Sequence, residues 1–360
     1  MEIIGRLPVK SVARFLLVSK SWERIISSRE FIRSFPAGSC SSQHRLLVCF
    51  VCPTSRPWKL LKSWYFFSSS SSSTSFLSRV KCPLHDPEYF LYRFHCANGL
   101  IRLGYGKTKL IYNPSTGKSI TLPIVTRVGS RCFFGFDPVN DQYKILCTTR
   151  NQPNGQESPL YEYQVLTLVG AEQSSWRKIE CSIPYRFCSS AHVCIDGFVY
   201  YVARTGADLS QRSLMKFDLK HEKFNLVTSL SADMPRLPRG CSLINYEGKV
   251  AIPLNSKGNT FNVWVIDQAA REPGWLKKSF SIESWKSSSK LRIYGSTHTG
   301  EFVLAPMYYS DDFNVILYNP NTNGLRKIKV DVKGNYAFKF GRNRTRAMVF
   351  PEYVESIRLL

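Results

Sequence analysis

A unit of about 50 residues recurs along most of this chain, and it limits the possible folds more than any other feature. One copy reads NGLIRL (98–103) followed by LIYNPSTGKSITLP (110–123). Later copies read DGFVYYVA (196–203) with MKFDLKHEKFNLV (215–227), EGKVAIP (247–253) with VWVIDQAAREPGWLKKSF (263–280), and TGEFVLAP (299–306) with VILYNPNTNGLRKI (315–328). FFGFDPVNDQYKIL (133–146), YEYQVLTL (161–168) and SSWRKI (174–179) lie between the first two. Each unit has a strand entered through a Gly-containing turn, then a strand that ends in an Asp or Asn turn. Aligning the apolar residue before that second turn gives Tyr112, Leu166, Phe217, Ile266 and Tyr318, at intervals of 54, 51, 49 and 52 residues. Tyr65, in the aromatic run Trp64–Phe67, lies 47 residues ahead of Tyr112.

A four-stranded sheet of this kind leaves one face bare, and radial stacking of several such sheets buries both. The spacing therefore predicts a mainly β chain, a kelch-like β-propeller of about six blades. A Ser-rich loop over Ser68–Ser73 follows the first apolar strand.

The first 35 residues follow a different period. Val9, Val12, Ala13 and Leu16 fall on one helical face after Arg6-Leu7-Pro8, with Pro8 tolerated in a first turn. Ser19 is placed to cap a second helix bearing Trp22, Ile25 and Ile26, and Ser28 a third bearing Phe31 and Phe35. Three helices this short cannot enclose a core of their own. They must dock either on the downstream domain or on another chain.

The 49 basic and 26 acidic residues give a net charge of +23, the kind of excess that attracts polyanions. Residues 1–60 hold ten Lys or Arg against three acids, and residues 325–346 hold eight against one. Elsewhere the excess is diffuse, without a nucleic-acid recognition motif. A solvated basic surface is the expectation and a nucleic-acid partner is disfavoured. No run of residues is long and apolar enough for a bilayer span, and no signal-peptide pattern opens the chain. The eleven cysteines are odd in number and scattered, which predicts free thiols in the cytoplasm or nucleus. Cys49-x-x-Cys52 is the one close pair, but it lies in a strand and has no second ligand pair for zinc. The six histidines show no ligand-like spacing, and no phosphate loop, GxSxG elbow or HExxH is present. No catalytic residue, metal or cofactor is expected. His192, alternating with apolar neighbours, reads as a satisfied strand histidine, and His221 as an exposed turn residue.

EIIGRLPVKSVARFLLVSKSWERIISSREFIRSF (2–35) resembles the F-box of plant F-box proteins. The matching positions are Glu2-Ile3-Ile4, Arg6 to Val12, Arg14-Phe15, Val18-Ser19-Lys20, Trp22, Ile26-Ser27-Ser28 and Phe31-Ile32. CANGLIRL (96–103), IYNPSTGKSITLP (111–123), FGFDPVNDQYKIL (134–146), SWRKI (175–179) and FPEYVESIRLL (350–360) resemble the F-box-associated interaction domain of the same proteins. The family's opening Leu-Pro-x-Asp-Leu is not seen before Glu2. That segment helps grip the adaptor in the family, so the departure bears on adaptor affinity.

The resemblance implies a three-helix F-box over 1–36, a linker and first β unit over 37–97, and a propeller-like interaction domain over 98–355. It implies a non-catalytic substrate receptor of an SCF (Skp–cullin–F-box) ubiquitin ligase, bound to a Skp-type adaptor and through it to cullin and RING subunits. Leu7, Pro8, Val9, Val12, Phe15, Val18, Trp22, Ile25 and Ile26 are the candidate adaptor-binding residues, with Trp22 the expected anchor. About half of these must instead hold the helices together. Target-binding residues are left unassigned, with long loops near Asn151–Ser158, Thr205–Arg212 and Ser231–Arg239 as places to look. Other readings are a basic propeller that binds RNA or an acidic protein without a ligase role, and a degenerate, non-functional F-box protein.

Overall fold

A computed structural model describes residues 2–358 except 6, 8, 39–44, 53–60, 70–72, 84–94, 106–107, 125–130, 152–159, 169–174, 236, 238–242, 256–259, 268–272, 283–290 and 333–344. Its chain begins with four short helices, α1 (Glu2–Gly5), α2 (Val9–Phe15), α3 (Lys20–Ile26) and α4 (Arg29–Gly38). Three were expected, and the extra turn α1 precedes them. Both expected caps form: Ser19 Oγ accepts from the Trp22 N–H at 3.3 Å and Ser28 Oγ from the Phe31 N–H at 3.2 Å.

Six four-stranded antiparallel sheets follow. The first holds β1 (Arg45–Cys52), β2 (Leu61–Ser69) and β3 (Thr74–Pro83), completed at its inner edge by the last strand of the chain. The second runs β4 (Cys96–Ala97), β5 (Leu100–Tyr105), β6 (Thr108–Tyr112) and β7 (Ser119–Thr121). The third runs β8 (Arg131–Asp137), β9 (Gln142–Asn151), β10 (Leu160–Leu168) and β11 (Arg177–Ile179). The fourth runs β12 (Arg186–Ile195), β13 (Phe198–Thr205), β14 (Gln211–Asp218) and β15 (Lys223–Ser229). The fifth has β16 (Ile244–Tyr246), β17 (Lys249–Asn255), β18 (Thr260–Asp267) and β19 (Gly274–Ser281). The sixth has β20 (Leu291–Ser296), β21 (Phe302–Pro306), β22 (Asn314–Asn319) and β23 (Gly324–Lys329). The closing strand is β24 (Arg346–Tyr353), antiparallel to β1. The fold is a six-bladed β-propeller, and β24 draws residues 45–83 into the ring as its first blade.

The repeat maps onto one position in the blade. Tyr112, Leu166, Phe217, Ile266 and Tyr318 all lie on third strands, and all are buried. The acidic or amide residue that follows organises the turn: Asn113, Asp218 and Asn319 each accept two backbone N–H groups two and three residues on. Strand alternation then fills the gaps between blades. On β1, Leu47, Cys49 and Val51 pack with Trp64, Phe66, Leu103 and Tyr112 toward the second blade. Val48 and Phe50 pack with Phe67, Val303, Val315 and Leu317 toward the sixth. Each such aromatic or aliphatic side chain contributes roughly 1.5–3 kcal/mol when fully buried.

The expectation of free thiols is corrected at one pair. Cys132 and Cys147 stand directly opposite on β8 and β9, with Cα atoms 4.1 Å apart, and form a disulfide. The pairing follows from the hairpin register, which their 15-residue separation did not reveal. The same alternation separates Cys49 from Cys52, whose side chains enter opposite faces of the first blade. They cannot share a metal.

Candidate functional site

Four antiparallel strands per blade return the chain to the same end each time, so all six inner strands point one way along the central channel. They finish at the end where tight turns lead to the second strands. At three of these turns the pairs Asn98-Gly99, Asp196-Gly197 and Glu247-Gly248 adopt positive φ throughout, as two-residue hairpins with this twist require. The helices sit at this turn end. The loops between second and third strands, and those leading to the next blade, lie at the other end.

The helical module is fixed to the propeller by the segment after β24. Asn113 Nδ2 donates to the carbonyls of Ser356 (2.8 Å) and Arg358 (2.6 Å), and Ser115 Oγ bonds Tyr353 OH at 2.6 Å. Gly99, at φ +83°, lies beneath this segment; a Cβ there would stand 2.6 Å from Ser356 Cβ and 2.7 Å from the Val354 oxygen. Only glycine allows both the turn and the overlying chain. Ile357 then enters the helical core, joining Ile4, Val9, Val12, Ile26, Phe31 and Phe35.

A charged clasp sits beside this core. Asp141, in the β8–β9 turn, receives Arg358 and also Arg33 of α4, the latter at 3.3 Å. The Arg358 guanidinium lies over Phe136 (5.5 Å) and Tyr143 (5.4 Å). Burial pushes the Tyr143 phenol above its ordinary range, so it stays protonated and donates to the Asn98 carbonyl at 2.7 Å.

The nine candidate adaptor-binding residues separate by burial. Val9, Val12 and Ile26 are buried in the module's own core. Leu7, Phe15 and Trp22 are half-buried against it, and the Phe15 and Trp22 rings lie 5.5 Å apart. Val18 and Ile25 are exposed, at 64% and 37%. Pro8 lies outside the described residues. The sequence reading missed Leu17, 89% exposed in the α2–α3 turn beside Val18, and Ile3 on α1. Leu17 fell between the helical periods used to choose candidates, so spacing gave no signal for it. Leu17, Val18 and Ile25 leave exposed apolar side chains on the module, while Trp22 packs partly against its core.

Of the three loop regions, the described parts of two lie at the end opposite the helices. Thr205–Arg212 connects β13 to β14 there, and the residues after β15 that include Ser231 leave from it. Residues 152–158 of the Asn151–Ser158 loop, with 236, 238 and 239 of the third, lie outside the described residues.

The histidines are placed as expected in two cases. His192 is buried and accepts from the Phe134 N–H at 3.1 Å, and His221 is exposed with Nδ1 2.8 Å from Asp218. Unexpectedly, the His95 ring lies against that of His192, with centroids 3.4 Å apart and planes tilted by 32°. Among the described residues no three His, Cys, Asp or Glu side chains gather as metal ligands, and no helix is long and apolar enough to cross a membrane.

Two family models match the chain: the F-box domain over residues 1–34, and the F-box associated beta propeller domain over residues 45–354. An F-box protein of Arabidopsis thaliana is 50% identical over 372 residues, covering 100% of this chain and 91% of its own length. A putative F-box protein of the same plant is 44% identical over 360 residues, covering 98% and 80%. The Arabidopsis F-box protein DOR is 33% identical over 395 residues, covering 100% and 92%.

Proposed function

Because the chain belongs to the plant F-box proteins that carry an F-box associated β-propeller domain, we propose that it is the substrate-recognition subunit of an SCF-type ubiquitin ligase. Both of its domains are adaptor modules that work by holding partners, without chemistry of their own. On this reading the helices bind a Skp-type adaptor, and through it cullin and RING subunits. The propeller presents a target protein to the ubiquitin-charged enzyme. The rate gain is that of proximity: a tethered lysine has a far higher effective concentration than a free one. The cytoplasm or nucleus, where such ligases act, is the proposed location.

The observation that carries this reading is the disposition of the two surfaces. Exposed apolar side chains lie on helices held to one end of the propeller, and the described connections between second and third strands, such as 206–210 and 307–313, lie at the other. A receptor needs its adaptor and its target on separate, mutually fixed surfaces.

The test is a pull-down of a plant Skp-type adaptor by the full chain. Leu17→Asp and Val18→Asp alter exposed side chains and leave the fold intact, so their effect reads the interface alone. Each is expected to weaken adaptor binding at least tenfold, and Trp22→Ala more, as for a buried aromatic anchor. Failure of the native chain to bind defeats the ligase reading. Retention of a nonspecific RNA that falls steeply with salt then becomes the measurement that decides for the basic-propeller alternative.

A further inference from the structure

The outer strand of each blade presents an edge with no further strand beside it, and an open edge is a template for another chain. Most of these edges are blunted. β7 and β11 have three residues each. β3 and β15 break register with the strands they pair with. β23 has six residues and lends its Lys329 carbonyl to Thr74 Oγ1 of the first blade at 3.3 Å. β19 is different: all eight of its residues, Gly274 to Ser281, pair with β18 in continuous register.

Both ends of β19 are anchored to neighbouring blades. Trp275 Nε1 donates to the Ser229 carbonyl of the fourth blade at 2.9 Å, and Tyr318 OH of the sixth donates to the Ser281 carbonyl at 3.3 Å. Between these anchors Leu276, Lys277, Lys278 and Ser279 are all exposed, Leu276 at 53%. The edge is held extended before anything binds, which lowers the cost of adding a strand to it.

Charge selects the occupant. Lys277 Nζ lies over the Trp264 ring at 6.0 Å and Lys278 Nζ over the Tyr246 ring at 5.1 Å. Those rings belong to the cores shared with the fourth and the sixth blade respectively, so a cation stands on either side of the edge. Among the described residues neither lysine pairs with an acid, and β19 itself carries none. A second copy fits poorly, because antiparallel pairing of two β19 edges about their centre sets Lys277 of each against Lys278 of the other. A nucleic acid finds no exposed aromatic ring on this strand on which to stack a base.

We propose that β19 takes up an extended acidic peptide of a partner protein as a fifth, antiparallel strand of the fifth blade. Adjacent Glu or Asp residues of the peptide face Lys277 and Lys278, and an apolar side chain lies beside Leu276. The outward N–H and C=O groups of β19 supply the pairing, and the lysines that deter other chains admit this one. The site stands whether or not the chain joins a ligase.

The test is fluorescence anisotropy of labelled peptides with the full chain at constant ionic strength. The parent peptide is Thr-Val-Thr-Glu-Glu-Val-Thr-Ser, and a second carries Lys-Lys for Glu-Glu. Two more are the parent N-methylated at alternate amides, one along each edge. The parent is expected to bind and the Lys-Lys peptide not to. One methylated peptide should lose binding and the other keep it, because only one edge of an added strand faces β19. Lys277→Glu combined with Lys278→Glu should weaken the parent roughly tenfold or more and bind the Lys-Lys peptide instead. Lys223→Glu, on the outer strand of the fourth blade, should bind the parent as the native chain does. These substitutions alter exposed side chains, so unfolding temperatures should stay native.

No saturable binding of the parent, or equal binding of the two methylated peptides, overturns strand addition. Tighter binding of oligouridylate than of the parent, lost in the same double variant, overturns the peptide in favour of a nucleic acid. A dimer of the native chain that is lost in that variant overturns it in favour of a second copy.

Discussion

Ile357→Ala should loosen the helices and leave the propeller untouched. Ile357 is 1% exposed and, among the described residues, is the single contribution to the helical core from outside residues 1–38. Truncating a buried isoleucine to alanine costs about 2–5 kcal/mol, and the cost is highest where the surroundings cannot collapse into the cavity. Here the surroundings are four helices of 4, 7, 7 and 10 residues, two of whose core groups are phenylalanines 5.9 Å apart. A loss of about 3 kcal/mol raises the local opening constant on the order of a hundredfold. Native-state hydrogen exchange separates this from global unfolding. Amides of α2 to α4 should lose about two decades of protection, while those of β13 and β14 keep theirs. Asp141→Asn should act in the same direction more weakly, since Arg33 remains half exposed to solvent. The two changes should combine less than additively, because both release the same segment. Unchanged protection in the helices, or an equal loss in the fourth blade, refutes the idea that this residue couples the domains.

Other measurements follow from the same structure. Gly99→Ala places a Cβ against Ser356 and the Val354 oxygen at positive φ, so it should lower the unfolding temperature and expose residues 354–358 to proteolysis. Burial, with Arg102 nearby, pushes the Lys109 amine down to about 8. Between that pH and the ordinary lysine range near 10.4, the native state has shed a proton that the unfolded state keeps, so this group's contribution to stability rises with pH. Lys109→Met should therefore stabilise at pH 7.5, and its advantage over the native chain in urea midpoint should shrink by pH 9.5; a constant difference contradicts the shift. Burial pushes the Cys82 and Cys96 thiols up to about 12 and Cys49 well above its usual range. At pH 8.5 these three should resist iodoacetamide until the protein unfolds, and Cys132 and Cys147 should resist until it is also reduced.

Much of this fold could be read from the chain because its repeat carries its own punctuation. A third strand must end in a side chain that buries between blades, and the next residue must turn; Phe217-Asp218 and Tyr318-Asn319 satisfy both demands locally. Local rules also placed the caps at Ser19 and Ser28. What escaped was long-range register. Nothing near Cys132 announces Cys147 opposite, and nothing near His95 announces His192. The exposed apolar side of the helices was legible only in part for a related reason. Helical spacing identifies apolar residues but does not say which side they face, so Val9, Val12 and Ile26 were grouped with Val18 and Ile25. The decision was made by Ile357, more than 300 positions away in sequence, whose side chain defines where the core of the module lies.

That distance has a consequence for assembly. β24 must pair with β1 to close the ring, and only then does the chain beyond Tyr353 cross Gly99 and reach the helices. The helical core is therefore expected to be completed after the propeller, although all of its residues but Ile357 are made first. Two deletions separate the steps. Removing residues 354–360 leaves β24 in place, so the ring should close and unfold cooperatively near its native temperature, while the helices exchange freely. Removing residues 346–360 also strips the inner edge of the first blade and exposes Val48, Phe50 and their partners in the sixth. That variant should lose the propeller transition altogether, since a ring built of stacked neighbours has no stable open form with a bare inner edge. If helices in the shorter deletion stay as protected as in the native chain, the module completes its own core and the proposed order is wrong. If they are lost while the ring survives, then a formed helical surface signals a closed propeller. A partner that binds this surface would then recruit only chains whose propeller is already built.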